Sequence, residues 1–408
     1  MTMGMYQWLW CGLVVCCALT TGVQAQAQTQ AIDPLALTPT DDTPDPTPFR
    51  SSGLRVEVQA QTADLRFKPA GQARQQQRGV LDFRREWTLH PHLKLGLSNR
   101  LEQVHADTGS VTRHALREAY ASWRWGNGSG DGADSYLDIG RVQWRNGVAS
   151  GFNPSDFLKR GAVLDLGTQN PQALRENRLG TVMLRQQWLG HFGSVQLAYI
   201  PQLSSRPSTA PQANPRDPAW ARTNAEDAAL LRFAPKTGET WTAEGLLYAR
   251  AGEPLRSAIN LTGAVGDAWI VHAEWTGGRS SRGVDRSSTS TASSRHEQEL
   301  AVGASWTTPW GWIATVERHQ SSTVGSSDAW FTRLAWDNAF GLRHINLAAF
   351  ARINSNDHSR LWQLDARWHL NDHHSLALIW GQYGGSPRSE YGRVPTHRYG
   401  LATWTVYF

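Results

Sequence analysis

From residue 54 to the end of the chain, side-chain character switches at every second position, in roughly eighteen segments of about ten residues each. Leu81, Phe83, Trp87 and Leu89 interleave with Asp82, Arg84 and Glu86; Leu93, Leu95 and Leu97 interleave with Lys94, Ser98 and Arg100. Trp362, Leu364, Ala366 and Trp368 do the same against Gln363, Asp365 and Arg367. Successive side chains of a strand point to opposite faces, so each segment reads as a strand with one apolar and one polar face. All the apolar faces must then meet one apolar medium, either a second sheet or lipid.

The links between segments help to choose. Tight turns (HPH at 90–92, GHFG at 190–193, PKTG at 235–238, GD at 266–267, TPWG at 308–311, NAFG at 338–341, NDHH at 371–374) alternate with longer polar stretches near 107–110, 145–177, 203–225, 278–295 and 381–393. Short links at one end of the strands and long ones at the other suit a transmembrane barrel with periplasmic turns and extracellular loops. A soluble sandwich or propeller has no reason to sort its links this way. Mean hydropathy is −0.47 and no later apolar run reaches membrane-helix length, which excludes a helical membrane protein. A barrel tolerates such a value because only alternate strand residues face lipid. The 20 Trp point the same way, since Trp and Tyr gather at the two headgroup levels of a membrane.

The start of the chain is of another kind. An apolar run over Trp8–Leu19 followed by Val23-Gln24-Ala25 or Ala25-Gln26-Ala27 reads as a secretory signal cleaved after residue 25 or 27. The run lacks a preceding Lys or Arg, which leaves an uncleaved anchor as the other reading. All three cysteines, Cys11, Cys16 and Cys17, fall inside it, so the exported chain would have neither disulfides nor thiolate chemistry. Residues 26–53, rich in Pro, Thr and Asp, cannot build a core and read as a disordered periplasmic tail, or as a plug. The expected organisation is a signal over 1–25, a tail over 26–53 and a barrel over 54–408.

The chain closes on YGLATWTVYF, with Ala402, Trp404, Val406 and Phe408 on one strand face. This resembles the C-terminal assembly signal of Gram-negative outer-membrane β-barrels. The resemblance implies a cell outer-membrane location, contact with outer-membrane lipid, and recognition of Trp404, Val406 and Phe408 by the barrel-assembly machinery.

The third long link, RNGVASGFNPSDFLKRGAVLDLGTQNPQALREN (145–177), has dense turn chemistry. Asn153-Pro154 and Asn170-Pro171 start turns, and Ser155-Asp156 can cap a short helix running into Phe157 and Leu158. With the preceding DIGRVQW it resembles a segment of porin-like and alginate-export-type barrels, although WRNG stands where WG is usual. That resemblance implies a third loop folded into the lumen, with Asn153, Pro154, Asp156, Lys159 and Arg160 at the constriction. A loop that only stiffens the mouth is the equal alternative.

Alternation places Arg84, Arg100, Arg124, Arg185, Arg333, Arg352 and Arg367 on the inner face as pore lining, together with a similar number of acids, among them Asp82, Glu102, Glu118, Glu274, Glu317 and Asp365. The net charge of +5 therefore does not by itself make the pore anion-selective. Arg outnumbers Lys roughly ninefold, which suits bidentate ion-pair ladders, or binding of an acidic sugar or phosphate. In YLDIGRVQW, Arg141 shares parity with Leu137 and Ile139. A bulge at Gly140 would turn Arg141 and Gln143 inward at the base of the folded loop.

No glycine-rich phosphate loop, metal-spaced Cys/His pair or massed basic patch is present, so no cofactor, metal or nucleic acid is expected. His272, His319, His344 and His369 stand singly, and no catalytic set is legible. The sequence thus reads as an all-β transmembrane antiparallel barrel of about eighteen strands. Its expected function is a porin-like channel for passive passage of a small polar or anionic solute. The alternatives are an export channel for an acidic exopolysaccharide, and a rim enzyme or structural surface protein. The solute and the oligomeric state are open.

Overall fold

The structure, a computed structural model, describes residues 53–65, 73–107, 109–126, 134–204, 219–238, 240–279, 296–322 and 327–408. The expected signal, the tail up to residue 52, and parts of several long links lie outside the described residues. Gly53 is described, and its carbonyl accepts the Arg84 N–H at 2.8 Å.

Eighteen strands follow one another: β1 (Leu54–Leu65), β2 (Ala73–His90), β3 (Leu93–Ala106), β4 (Gly109–Trp125), β5 (Asp134–Val142), β6 (Thr181–Gly190), β7 (Gly193–Ile200), β8 (Ala228–Pro235) and β9 (Trp241–Arg250) form the first half. The second half comprises β10 (Glu253–Val265), β11 (Trp269–Arg279), β12 (His296–Thr307), β13 (Trp312–Ser321), β14 (Ser327–Trp336), β15 (Ile345–Asn354), β16 (Arg360–Asn371), β17 (His374–Gly384) and β18 (Thr396–Tyr407). Each pairs antiparallel with its sequence neighbours, and β1 pairs with both β2 and β18. The sheet is therefore closed and has no free edge, as a membrane-spanning sheet requires. Val406 faces Val56 and Trp404 faces Val58 across the seam, and the Phe408 N–H donates to the Leu54 carbonyl at 3.1 Å.

Alternation sorts the two faces. Outward positions carry exposed apolar side chains such as Val58, Leu101, Leu184, Ile259, Val302, Leu364, Leu378 and Trp404. Near the tight-turn end the outward positions are aromatic: Trp123, Trp241, Trp269, Trp306, Trp312, Trp336, Trp368 and Trp404. Trp269 stacks on Trp306 at 5.7 Å and His374 on Trp404 at 5.7 Å. This belt is the girdle of a transmembrane barrel, and the fold is that of an outer-membrane β-barrel. The short-and-long sorting of links has departures: β9 and β10 are joined by residues 251–252, β3 and β4 by 107–108, and the β4–β5 link at the tight-turn end spans 126–133.

The inner face is less uniformly polar than alternation alone suggests. Met183, Ala198, Ile200, Leu230, Leu246 and Ala258 form one inward apolar cluster with Trp144 and Leu158. Phe331, Phe350, Leu361, Tyr383 and Tyr399 form another with Tyr391. In both, an element from a long link supplies the cover that water would otherwise provide.

Candidate functional site

The charged part of the inner wall centres on β1–β4. Asp82, 1% exposed, accepts from Arg55 at 3.1 Å, from Arg100 at 3.3 Å and from Arg117. Arg100 also reaches Glu57 at 3.5 Å, and Arg78 pairs with Glu102 at 2.8 Å. A register shift between Ser98 and Asn99 is what lets Arg117 and Glu118, neighbours in sequence, both face inward. A shared carboxylate among several guanidiniums satisfies burial that a lone charge would not survive.

The 143–180 segment between β5 and β6 is hydrogen-bonded to inward side chains of β2, β4, β11, β13, β15 and β16. The Val148 and Ala149 N–H groups donate to Glu274 Oε2 at 2.9 and 3.0 Å, and the Ser155 N–H donates to Glu274 Oε1 at 2.6 Å. The Ser150 and Phe152 N–H groups donate to Glu317 at 2.8 Å, and His272 Nε2 lies 3.1 Å from the same carboxylate. Gly147 has φ +87°, and a Cβ there would sit 2.7 Å from the Glu274 carboxylate oxygens, so only glycine brings the main chain this close. On other strands, Arg352 donates to the Gly151 carbonyl at 2.5 Å, the Gln169 N–H donates to Gln363 at 2.9 Å, and Asn170 donates to Asp365 at 3.0 Å. Arg78 donates to the Asp165 carbonyl at 2.9 Å, and Arg113 to its carboxylate at 3.1 Å.

Within the segment, Asn170 caps helix α1 (Pro171–Glu176) by accepting the Gln172 N–H at 3.0 Å, with proline in the first turn as its fixed φ favours. The cap expected from Ser155-Asp156 is absent. Phe157–Lys159 is a three-residue 3-10 turn without a side-chain cap, because the Asp156 carboxylate is taken by Arg178 at 2.5 and 3.2 Å. Pro154 and Asp156 are buried inside the segment, whereas Lys159 and Arg160 are exposed. Lys159 Nζ donates to the Asn153 carbonyl at 2.5 Å and Arg160 to Glu253 at 3.0 Å.

The nine expected lining residues divide. Arg84 is 53% exposed beside Glu118 at 3.5 Å, and Arg367 is exposed on the face of Gln363 and Asp365. Arg100 is buried in the Asp82 group, Arg124 pairs with Asp134 at 2.9 Å, and Arg185 pairs with Asp138 at 2.6 Å. Arg333 shares the inward face of Phe331, and Arg352 lies over the Phe152 ring at 5.3 Å. The bulge expected at Gly140 does not occur: the register runs through it on both sides without a shift. Arg141 therefore keeps the parity of Ile139. It is covered at the strand end by the short helix α2 (Trp220–Thr223), its guanidinium 5.0 Å from the Trp220 ring, and it donates to the Gly180 carbonyl at 2.9 Å. Gln143 donates to the Glu176 carbonyl at 2.7 Å, at the C-terminal end of α1.

Sequence reading passed over Arg78, Arg113 and Arg117. Arg78 shares parity with Asp82 and was recoverable by extending that strand backward. Arg117 was not, because it follows from the bulge. His105 Nδ1 lies 2.5 Å from Ser110 Oγ near the β3–β4 link, a direct cross-strand pair, while Asp107 accepts the Gln75 N–H at 3.1 Å.

Comparison with known proteins adds the fold alone. No protein-family model and no curated protein matches the sequence. Among solved structures the chain is similar to Pseudomonas aeruginosa OccD3 (OpdP), with TM-score 0.51 and 10% identity over 88% of this chain and 91% of that one. It is likewise similar to Pseudomonas aeruginosa OccK5 (OpdH), with TM-score 0.51 and 8% identity over 86% and 96%. A third is Pseudomonas aeruginosa OccK2 (OpdF) in complex with glucuronate, with TM-score 0.51 and 12% identity over 87% and 97%.

Proposed function

We propose that this chain is a porin-like channel of the outer membrane, that it passes a small polar or anionic solute by diffusion, and that the 143–180 segment folds inward to narrow it. The observation that carries the reading is the grip of Glu274 and Glu317 on successive backbone amides of that segment, together with the hold of Arg78 and Arg113 on Asp165 from β2 and β4. A link that only stiffened the mouth would have no need of inward side chains on strands so far apart in the ring. The anionic preference draws on charge distribution. Asp82, Glu274 and Glu317 are nearly fully buried, whereas the cations Arg84 and Arg367 are exposed. A carboxylate of the glucuronate type, which OccK2 holds, would suit such cations.

The test is single-channel conductance of the refolded barrel in a planar bilayer, with the reversal potential read under a salt gradient. A steady open current with an anion-side reversal potential is expected, and deletion of Phe152–Gly161 should raise the conductance. An unchanged conductance after the deletion removes the segment as constriction. A barrel silent until the chain before Gly53 is removed points to the gated exporter instead.

A further inference from the structure

Among the described residues at the tight-turn end, four connections are polar: His90 and His92 flank one, Lys236 and Asp267 occupy one each, and Asp372 with His373 occupies the fourth. Two connections on the β12–β15 sector break this pattern. The β12–β13 turn presents Trp310, 74% exposed, and the β14–β15 turn presents Phe340 and Leu342, 70% and 53% exposed. Phe192 in the β6–β7 turn is a lone and less exposed counterpart at 44%. The β14–β15 turn holds Phe340 outward at φ 59°, a left-handed conformation that side-chain-bearing residues seldom adopt.

These aromatics continue the lipid-facing girdle. Phe340 packs on Trp336 at 4.6 Å, and Trp336 on Trp312 at 5.2 Å; both tryptophans are outward on their strands. Arg343 and His344 follow Leu342 directly, and both are exposed. An apolar wedge that prolongs a tryptophan belt and ends in the Arg343 guanidinium matches the layered chemistry of a phospholipid leaflet, with acyl boundary first and phosphate next.

We propose that the β12–β13 and β14–β15 turns form a membrane anchor. Trp310, Phe340 and Leu342 enter the headgroup boundary of the leaflet at the tight-turn end, and Arg343 meets anionic phospholipid phosphate there. The barrel is then seated more deeply on this sector than on the sectors whose turns are polar. The occupant is lipid rather than a second barrel because the patch lies on the turns, beyond the strand faces along which barrels pack, and is continuous with the lipid-facing belt.

The test uses the full chain with Cys11, Cys16 and Cys17 replaced by serine, reconstituted at one barrel per nanodisc. Single cysteines are introduced as Phe340→Cys or Trp310→Cys, with Asp267→Cys and Asp372→Cys as polar-turn controls, and each is labelled with an environment-sensitive fluorophore. Folding is checked in every variant by heat-modifiable migration. Labels at 340 and 310 should emit at shorter wavelength than the controls and be quenched severalfold more by lipids spin-labelled near the headgroup. Adding phosphatidylglycerol to phosphatidylcholine discs should strengthen that quenching, and Arg343→Ser should abolish the increase. Emission at 340 and 310 matching that at 267 overturns the proposal. So does a blue shift that appears only in discs holding two barrels, which would assign the surface to a second copy.

Discussion

At the scale of single residues, the decisive interactions join side chains of the wall to main chain of the 143–180 segment. Glu274 is fully buried and receives three backbone N–H groups. Hydrogen bonds to a charged acceptor contribute more than neutral ones, about 1.5–3 kcal/mol. Glu274→Gln removes the charge and turns an amide NH2 toward donors that it cannot accept. The variant should fold but lose about 2–3 kcal/mol of stability, and it should show a noisier, larger single-channel conductance than the parent. An unchanged current trace would mean that the segment holds its place without this carboxylate. Gly147 makes the same point by sterics: Gly147→Ala places a methyl against the Glu274 oxygens and should mimic Glu274→Gln in the conductance record.

At the scale of elements, two long-link structures were partly legible. Asn170-Pro171, read as the start of a turn, opens helix α1, because the cap and the proline act locally. Ser155-Asp156 misled because Arg178, distant in sequence, claims the carboxylate. The apolar clusters under the segment were not legible either. Where Met183, Ile200, Leu230 and Leu246 face inward opposite lipid-facing neighbours, both strand faces read alike and alternation carries no sign. The β15–β16 and β17–β18 links are clasped by Asp357, whose carboxylate accepts the Ser359 N–H at 2.9 Å and the Glu390 N–H at 2.7 Å. Burial pushes this carboxyl upward, but hydrogen bonds from Ser359 and Glu390 and the nearby His358 outweigh it and hold it below the usual carboxylate range. A depressed folded value means that the clasp is fully present above the ordinary carboxylate range and is lost as pH falls through the lowered folded value. Amide exchange at Glu390 should therefore stay slow through mildly acidic pH and accelerate only below that range. In Asp357→Asn it should be fast throughout.

At the scale of the whole molecule, period-two alternation, link lengths and the tryptophan count made a closed barrel readable, because all three follow from one requirement, that every strand meet lipid on one side. The charge field was not readable, because which arginines are silenced depends on register. Arg55, Arg100 and Arg117 converge on Asp82 across four strands. Asp82→Asn should release part of that positive potential and move the reversal potential further toward anions, with reduced stability as a buried ion-pair group loses its charge. A reversal potential that stays put would show that this group lies off the conducting path. Glu274 and Glu317 grip Val148, Ala149, Ser150 and Phe152 through main-chain N–H groups, while the Phe152 ring also stacks on His319 at 4.6 Å and lies under Arg352, and Val148 and Ala149 are buried. The carboxylate tethers read no side chain, so at half-buried Ser150 the lining can be rewritten by substitution while its scaffold stays in place, which makes such a position a natural ground for divergence in what a barrel of this kind admits.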